Sequence, residues 1–82
     1  MSRSSRPDPA LAATLRRMRE QRGISREALA ARSGVTASAL ARIELAQTAP
    51  GWDTVRRLAH ALDLSMVQLS AAVEAHSPRP VR

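Results

Sequence analysis

The chain has no cysteine, no lysine, no phenylalanine and no tyrosine, and only one tryptophan. Without cysteine there is neither a disulfide framework nor a thiolate metal site. The two histidines, His60 and His76, lie far apart and form no ligand cluster, so no metal and no cofactor is expected. A single aromatic offers almost nothing on which exposed bases could stack, which argues against single-stranded DNA or RNA as the target. No apolar run approaches the roughly 18 residues of a membrane span. The amino-terminal stretch, with Pro7 and Pro9 and no apolar centre, is unlike a secretion signal. The expected setting is therefore the cytoplasm, without a membrane partner. A hydrolase triad is also disfavoured. No Ser sits on a strand-to-helix elbow, and a short all-helical chain has no deep pocket from which to exclude water. The chain is not expected to be an enzyme.

Every cation is an arginine, and thirteen of them against seven carboxylates give a formal net charge of +6. The absence of lysine fits the coding bias of a GC-rich genome as well as it fits any function. The placement of charge is more telling, because residues 10–24 set Arg16, Arg17, Arg19 and Arg22 against Glu20 alone. Such a balance favours an anionic partner.

At 82 residues there is room for one domain. A domain of this size buries only about 60% of its unfolded surface, so its core is thin and dimerisation would stabilise it. Composition divides the chain into a disordered arm over 1–7, a folded domain over 8–75 and a disordered tail over 76–82. Asp8-Pro9 opens a first helix, with Asp8 as cap and Pro9 where a missing N–H is no loss. Leu11, Leu15 and Met18 give it an inner face, and Gly23 stops it. Gln47 to Gly51 reads as a loop. Trp52 to Leu62 reads as a fourth helix, with Val55, Leu58, Ala59 and Leu62 inward and Arg56, Arg57 and His60 outward; Trp52 is expected to anchor the core beside the loop. Ser65 and Gln68 form a capping box for a fifth helix, whose Leu69 and Val73 point inward. Met66, Val67 and Ala71 leave apolar surface that reads either as a dimer interface or as an ordinary small-domain surface.

Between these lies Arg26 to Leu45, two short helices joined by a tight turn. Ser25 caps the first, which buries Leu29 and Ala30. Ser33-Gly34 ends it, Gly34 suiting a left-handed turn. Thr36 caps the second, which buries Leu40 and Ile43 and carries Ala37, Ser38, Ala41 and Arg42 on its opposite face. Mostly short side chains there let a flat partner approach the backbone closely. This is the layout of a helix-turn-helix.

The spacing of Leu29, Ala30, Gly34, Val35, Leu40 and Ile43 resembles the phage repressor and Cro family, also called the xenobiotic response element family, over about Leu15 to Leu69. The resemblance implies an all-α, five-helix, lambda-repressor-like DNA-binding domain that regulates transcription, as a repressor, by placing helix 3 in the major groove. It also implies that Arg19 and Glu44 pair across helices. Three departures stand out: Arg26 where the family commonly has Gln, Ser33 for a frequent aliphatic residue, and Leu45-Ala46 for a frequent Arg-Gly. The last affects backbone geometry, because an Ala at positive φ costs on the order of 1 kcal/mol relative to Gly.

The candidate DNA-binding residues are Arg26, Thr36, Ala37, Ser38, Ala41, Arg42, Gln47 and Thr48. Arg42 reads as a guanine contact, a phosphate contact or a solvated surface arginine. Ser38 suits a base edge and Ala37 a thymine methyl, or each is merely a helix former. If docking matches the family, Arg26 meets a phosphate at the start of helix 2, and Gln47 and Thr48 meet the backbone from the loop. The expected partners are double-stranded DNA and a second copy of the chain. The competing reading is an antitoxin or protein-interaction module, bound to a toxin and repressing its own operon.

Overall fold

The computed structural model describes residues 6–76. Five helices account for the regular structure among them: α1 (Pro9–Gln21), α2 (Arg26–Ser33), α3 (Ala37–Glu44), α4 (Trp52–Ala61) and α5 (Met66–His76). Most of the expected arm and tail lies outside the described residues. His76, grouped with the tail on composition, instead closes α5 and lies within 3.4 Å of the Arg17 guanidinium.

Side-chain caps start four of the helices, each satisfying one backbone N–H that an α-helix leaves open at its first turn. The Asp8 carboxylate accepts from the Ala10 N–H, Ser25 Oγ from Ala28 and Thr36 Oγ1 from Ala39. Ser65 Oγ accepts from the Gln68 N–H at 3.0 Å while Gln68 Oε1 accepts from the Ser65 N–H at 2.8 Å, a reciprocal capping box. α4 follows Gly51 and has no side-chain cap.

Three helices end in one motif built on three different residues. After α1, Gly23 at φ +66° donates to the Glu20 carbonyl and Ile24 to that of Arg19. After α3, Ala46 at φ +57° donates to Ile43 and Gln47 to Arg42; after α4, Asp63 at φ +60° donates to His60 and Leu64 to Ala59. Each is the paired closure of a Schellman turn, which requires the left-handed backbone that glycine adopts most easily.

The core is aliphatic. Leu15, Leu29, Leu40, Leu58, Leu62 and Leu69 are almost completely shielded from water, so every helix or its cap contributes a leucine to one cluster. α2 packs on α3 and α4, while α1 packs on α3 and α5. Ala10, Ala12 and Thr14 are also buried, small residues that let the neighbours of α1 approach closely. Trp52 does not anchor this core: 68% of its surface is exposed. It is the first residue of α4, on the rim of a shallow groove lined by Leu11, Val55, Met66, Leu69 and Val73, and none of the described residues closes over it.

Candidate nucleic-acid interface

α3 is eight residues long and two-sided. Leu40, Ile43 and Glu44 are buried, whereas Thr36, Ser38 and Arg42 are exposed. Ala37 and Ala41 are half-buried, and Ala37 packs against the edge of the hydrophobic cluster, so only part of its methyl is presented outward. The outer surface is therefore a ridge of short polar groups with one long cation a turn further on. The turn that sets the angle between α2 and α3 rests on Gly34 at φ +76°. Ser33, buried where an aliphatic residue is frequent, is accommodated because its hydroxyl donates to the Leu29 carbonyl at 2.8 Å. That bond satisfies a polar group the core would otherwise penalise.

Behind the ridge lies the most shielded charge among the described residues. The Glu44 side chain is fully buried and holds two guanidinium groups. Arg19 Nε donates to Oε2 at 2.7 Å and its Nη2 to Oε1 at 3.1 Å, while Nη1 donates to the Ile24 carbonyl at 2.8 Å. Arg26 Nε donates to Oε1 at 3.0 Å. Burial alone would push the Glu44 carboxyl up, but the hydrogen bonds from Arg19 and Arg26 outweigh it and hold the group below the usual carboxylate range. The bonds to Glu44 raise Arg19 in turn, against its own desolvation. The arrangement ties the end of α3 to the last turn of α1 and the start of α2.

Arg26 thus lies at the entrance to α2 with its side chain one-third exposed. The part taken by Arg26 in the Glu44 pair is invisible to sequence spacing; its only signal is a cation where an uncharged amide is common. Gln47 is exposed and Thr48 half-buried in the loop after α3, and the Gln47 N–H is spent on the Arg42 carbonyl. Of the apolar residues on α5, Val67 is 78% exposed and Ala71 exposed, but Met66 is half-buried against the core and shared with the Trp52 groove. No group of His, Asp or Glu suited to a metal ion occurs among the described residues, and no helix there is long and apolar enough to cross a membrane.

Known proteins share this architecture. ClgR, the clp gene regulator of Corynebacterium glutamicum, is similar at 25% identity over 82% of this chain and 71% of its own, with a TM-score of 0.77. The restriction-modification controller protein C.AhdI of Aeromonas hydrophila is similar at 31% identity over 74% of this chain and 92% of its own, with a TM-score of 0.71. A mutant of the controller protein C.Esp1396I shares the fold at 18% identity, covering 80% of this chain and 86% of its own with a TM-score of 0.78. None of the curated proteins matches in sequence. The profile of the helix-turn-helix domain matches residues 10–72. With two caps, a left-handed Gly34 and a buried Arg19–Glu44 pair in the arrangement of the phage repressors, the chain belongs to the helix-turn-helix domain family.

Proposed function

We propose that this protein binds duplex DNA as a dimeric transcriptional regulator, a repressor, with α3 in the major groove. The observation that carries this reading is the two-sidedness of α3, which buries one face and exposes Thr36, Ser38 and Arg42 on the other. Short side chains at the start of the helix reach base edges when the backbone comes close, and Arg42 spans the remaining gap. Arg26 at the start of α2, with Gln47 and Thr48 in the loop, flanks that ridge as contacts to the phosphate backbone. Ala37 and Ala41 provide close, apolar surface. The regulators named above, of the clp gene and of restriction-modification systems, support the same role.

Val67, Ala71 and part of Met66 form the self-association face in this reading, so the binding site is an inverted repeat with half-sites about 10 bp apart or a multiple of it. Selection from a random duplex pool, followed by titration of the recovered sequence over a salt series, tests both claims. Affinity falls steeply with salt, with a log-log slope near −0.9 per phosphate neutralised. A flat salt response rejects the DNA reading, and one chain per recovered site in sedimentation rejects the dimer.

A further inference from the structure

The DNA reading assigns Arg26 to a phosphate, yet the same side chain is tied to Glu44 inside the protein. The geometry shows how both hold. Arg19 commits all three of its guanidinium nitrogens, two to Glu44 and one to the Ile24 carbonyl. Arg26 commits only Nε, and its terminal nitrogens have no partner among the described residues. Glu20 stands 4.0 Å from Arg19 but is held at 3.1 Å by Arg16, so Arg16, Arg19 and Arg26 against Glu20 and Glu44 leave the cluster net positive. Because Arg19 already bridges both oxygens of Glu44, the carboxylate has little charge left with which to compete against a phosphate.

We propose that Glu44 is a positioning residue for the phosphate contact: it grips Arg26 by Nε and leaves the terminal N–H groups aimed at the DNA backbone. Glu44 is the last residue of α3 and Arg26 the first of α2. The bond therefore keeps the backbone anchor and the reading helix in fixed register, and the side chain loses less freedom on binding because it is held beforehand. This inference rests on the DNA-binding reading and adds to it the requirement for a forked donor. A lysine in place of Arg26 has the same charge but a single nitrogen on a flexible stem, so it pairs with Glu44 or reaches the phosphate, not both.

Arg26→Lys, Arg26→Ala and wild-type protein are titrated into a fluorescently labelled duplex of arbitrary sequence, roughly 20 bp long, over a salt series. Phosphate contacts act on any sequence, so the operator itself is not required. Both variants are expected to bind about fivefold or more weakly at low salt; Arg26→Ala lowers the magnitude of the salt slope by about one, and Arg26→Lys lowers it by no more than that. Lysine binding as tightly as arginine overturns the proposal. In a second measurement, the Arg26 Nε–H resonance of the wild-type protein is followed by NMR as duplex is added. Retention of the hydrogen-bonded signal supports positioning. Its release on binding overturns it, because Glu44 would then be masking Arg26. This measurement needs no variant and decides the matter if Arg26→Lys fails to fold. Absence of salt-dependent binding by the wild type removes the DNA reading and this inference together, whereas wild-type binding with an unimpaired lysine variant removes only the inference.

Discussion

Replacing Ala46 by glycine should raise the stability of the domain, and the structure fixes both the sign and the approximate size. Ala46 stands at φ +57°, where an L-residue is penalised by roughly 1–2 kcal/mol because Cβ approaches the following carbonyl. Glycine escapes that penalty but gives the unfolded chain more freedom, which offsets about 0.4–1 kcal/mol. A net gain of about 0.5–1 kcal/mol remains, equivalent to roughly 2–8 °C in a domain of this size. Two internal controls share the same closure. Gly23→Ala should cost a similar amount by conformation alone, since a Cβ built at Gly23 meets no atom within 4 Å. Asp63→Gly should gain less, because a short polar side chain tolerates the left-handed region better than alanine does. Thermal melts followed by circular dichroism at one fixed protein concentration measure all three, concentration being held because self-association would itself shift the midpoint. The reasoning fails if Ala46→Gly melts no higher than wild type while Gly23→Ala melts lower.

Glu44 links stability to acid. Its folded carboxyl is lowered by Arg19 and Arg26 against the cost of burial, so its contribution is complete above the ordinary glutamate range, about 4.3, and is lost as pH falls through the lower folded value. Glu44→Gln should cost on the order of 3 kcal/mol at pH 7, by removing the buried counter-charge of Arg19 and Arg26 and leaving only the exposed Glu20 near Arg19, and should flatten the acid limb of a denaturant-midpoint profile; an unaltered limb would contradict the assignment. Thr14 Oγ1 is buried without a hydrogen-bond partner among the described residues, so Thr14→Val should stabilise by about 1 kcal/mol in urea unfolding, and a loss would mean that the hydroxyl is satisfied. Ser38→Ala should relax preference at one base pair by roughly 1 kcal/mol in competition binding, and equal losses on all sequences would make Ser38 a backbone contact. With Arg42→Ala the same assay separates a changed base preference, which marks a reader, from a uniform loss, which marks a phosphate contact.

Much of this was legible in the residues because local rules and the tertiary fold agree. The spacing of Leu29, Leu40, Leu58 and Leu69 placed the inner faces of four helices, and Asp8, Ser25, Thr36 and Ser65 marked the starts of α1, α2, α3 and α5 by a bond that needs only a neighbouring N–H. What periodicity could not supply was the far side of a contact. Trp52 lies on the inner stripe of α4 by spacing, yet it stands beyond the end of the packed layer and remains exposed. Arg26 was legible only as a candidate phosphate contact, because nothing local reveals a carboxylate 18 residues away that is already held by Arg19. The half-burial of Ala37 has the same origin, since it depends on how α3 tilts against its neighbours.

Trp52 also makes the molecule its own optical reporter. As the sole aromatic side chain, it supplies all of the chain's indole fluorescence, so no second emitter dilutes its signal. It follows directly on the loop that carries Gln47 and Thr48, and it borders the groove shared by Met66 and Val73. Emission from an indole this exposed starts far to the red, which leaves a wide range for a blue shift when water is displaced. Under the proposed self-association, a spectrum that changes on dilution without DNA would report a second copy near the groove, and one that changes on titration of duplex at constant protein concentration would report events at the loop. Both proposed equilibria can thus be tested in unlabelled protein from one spectral band.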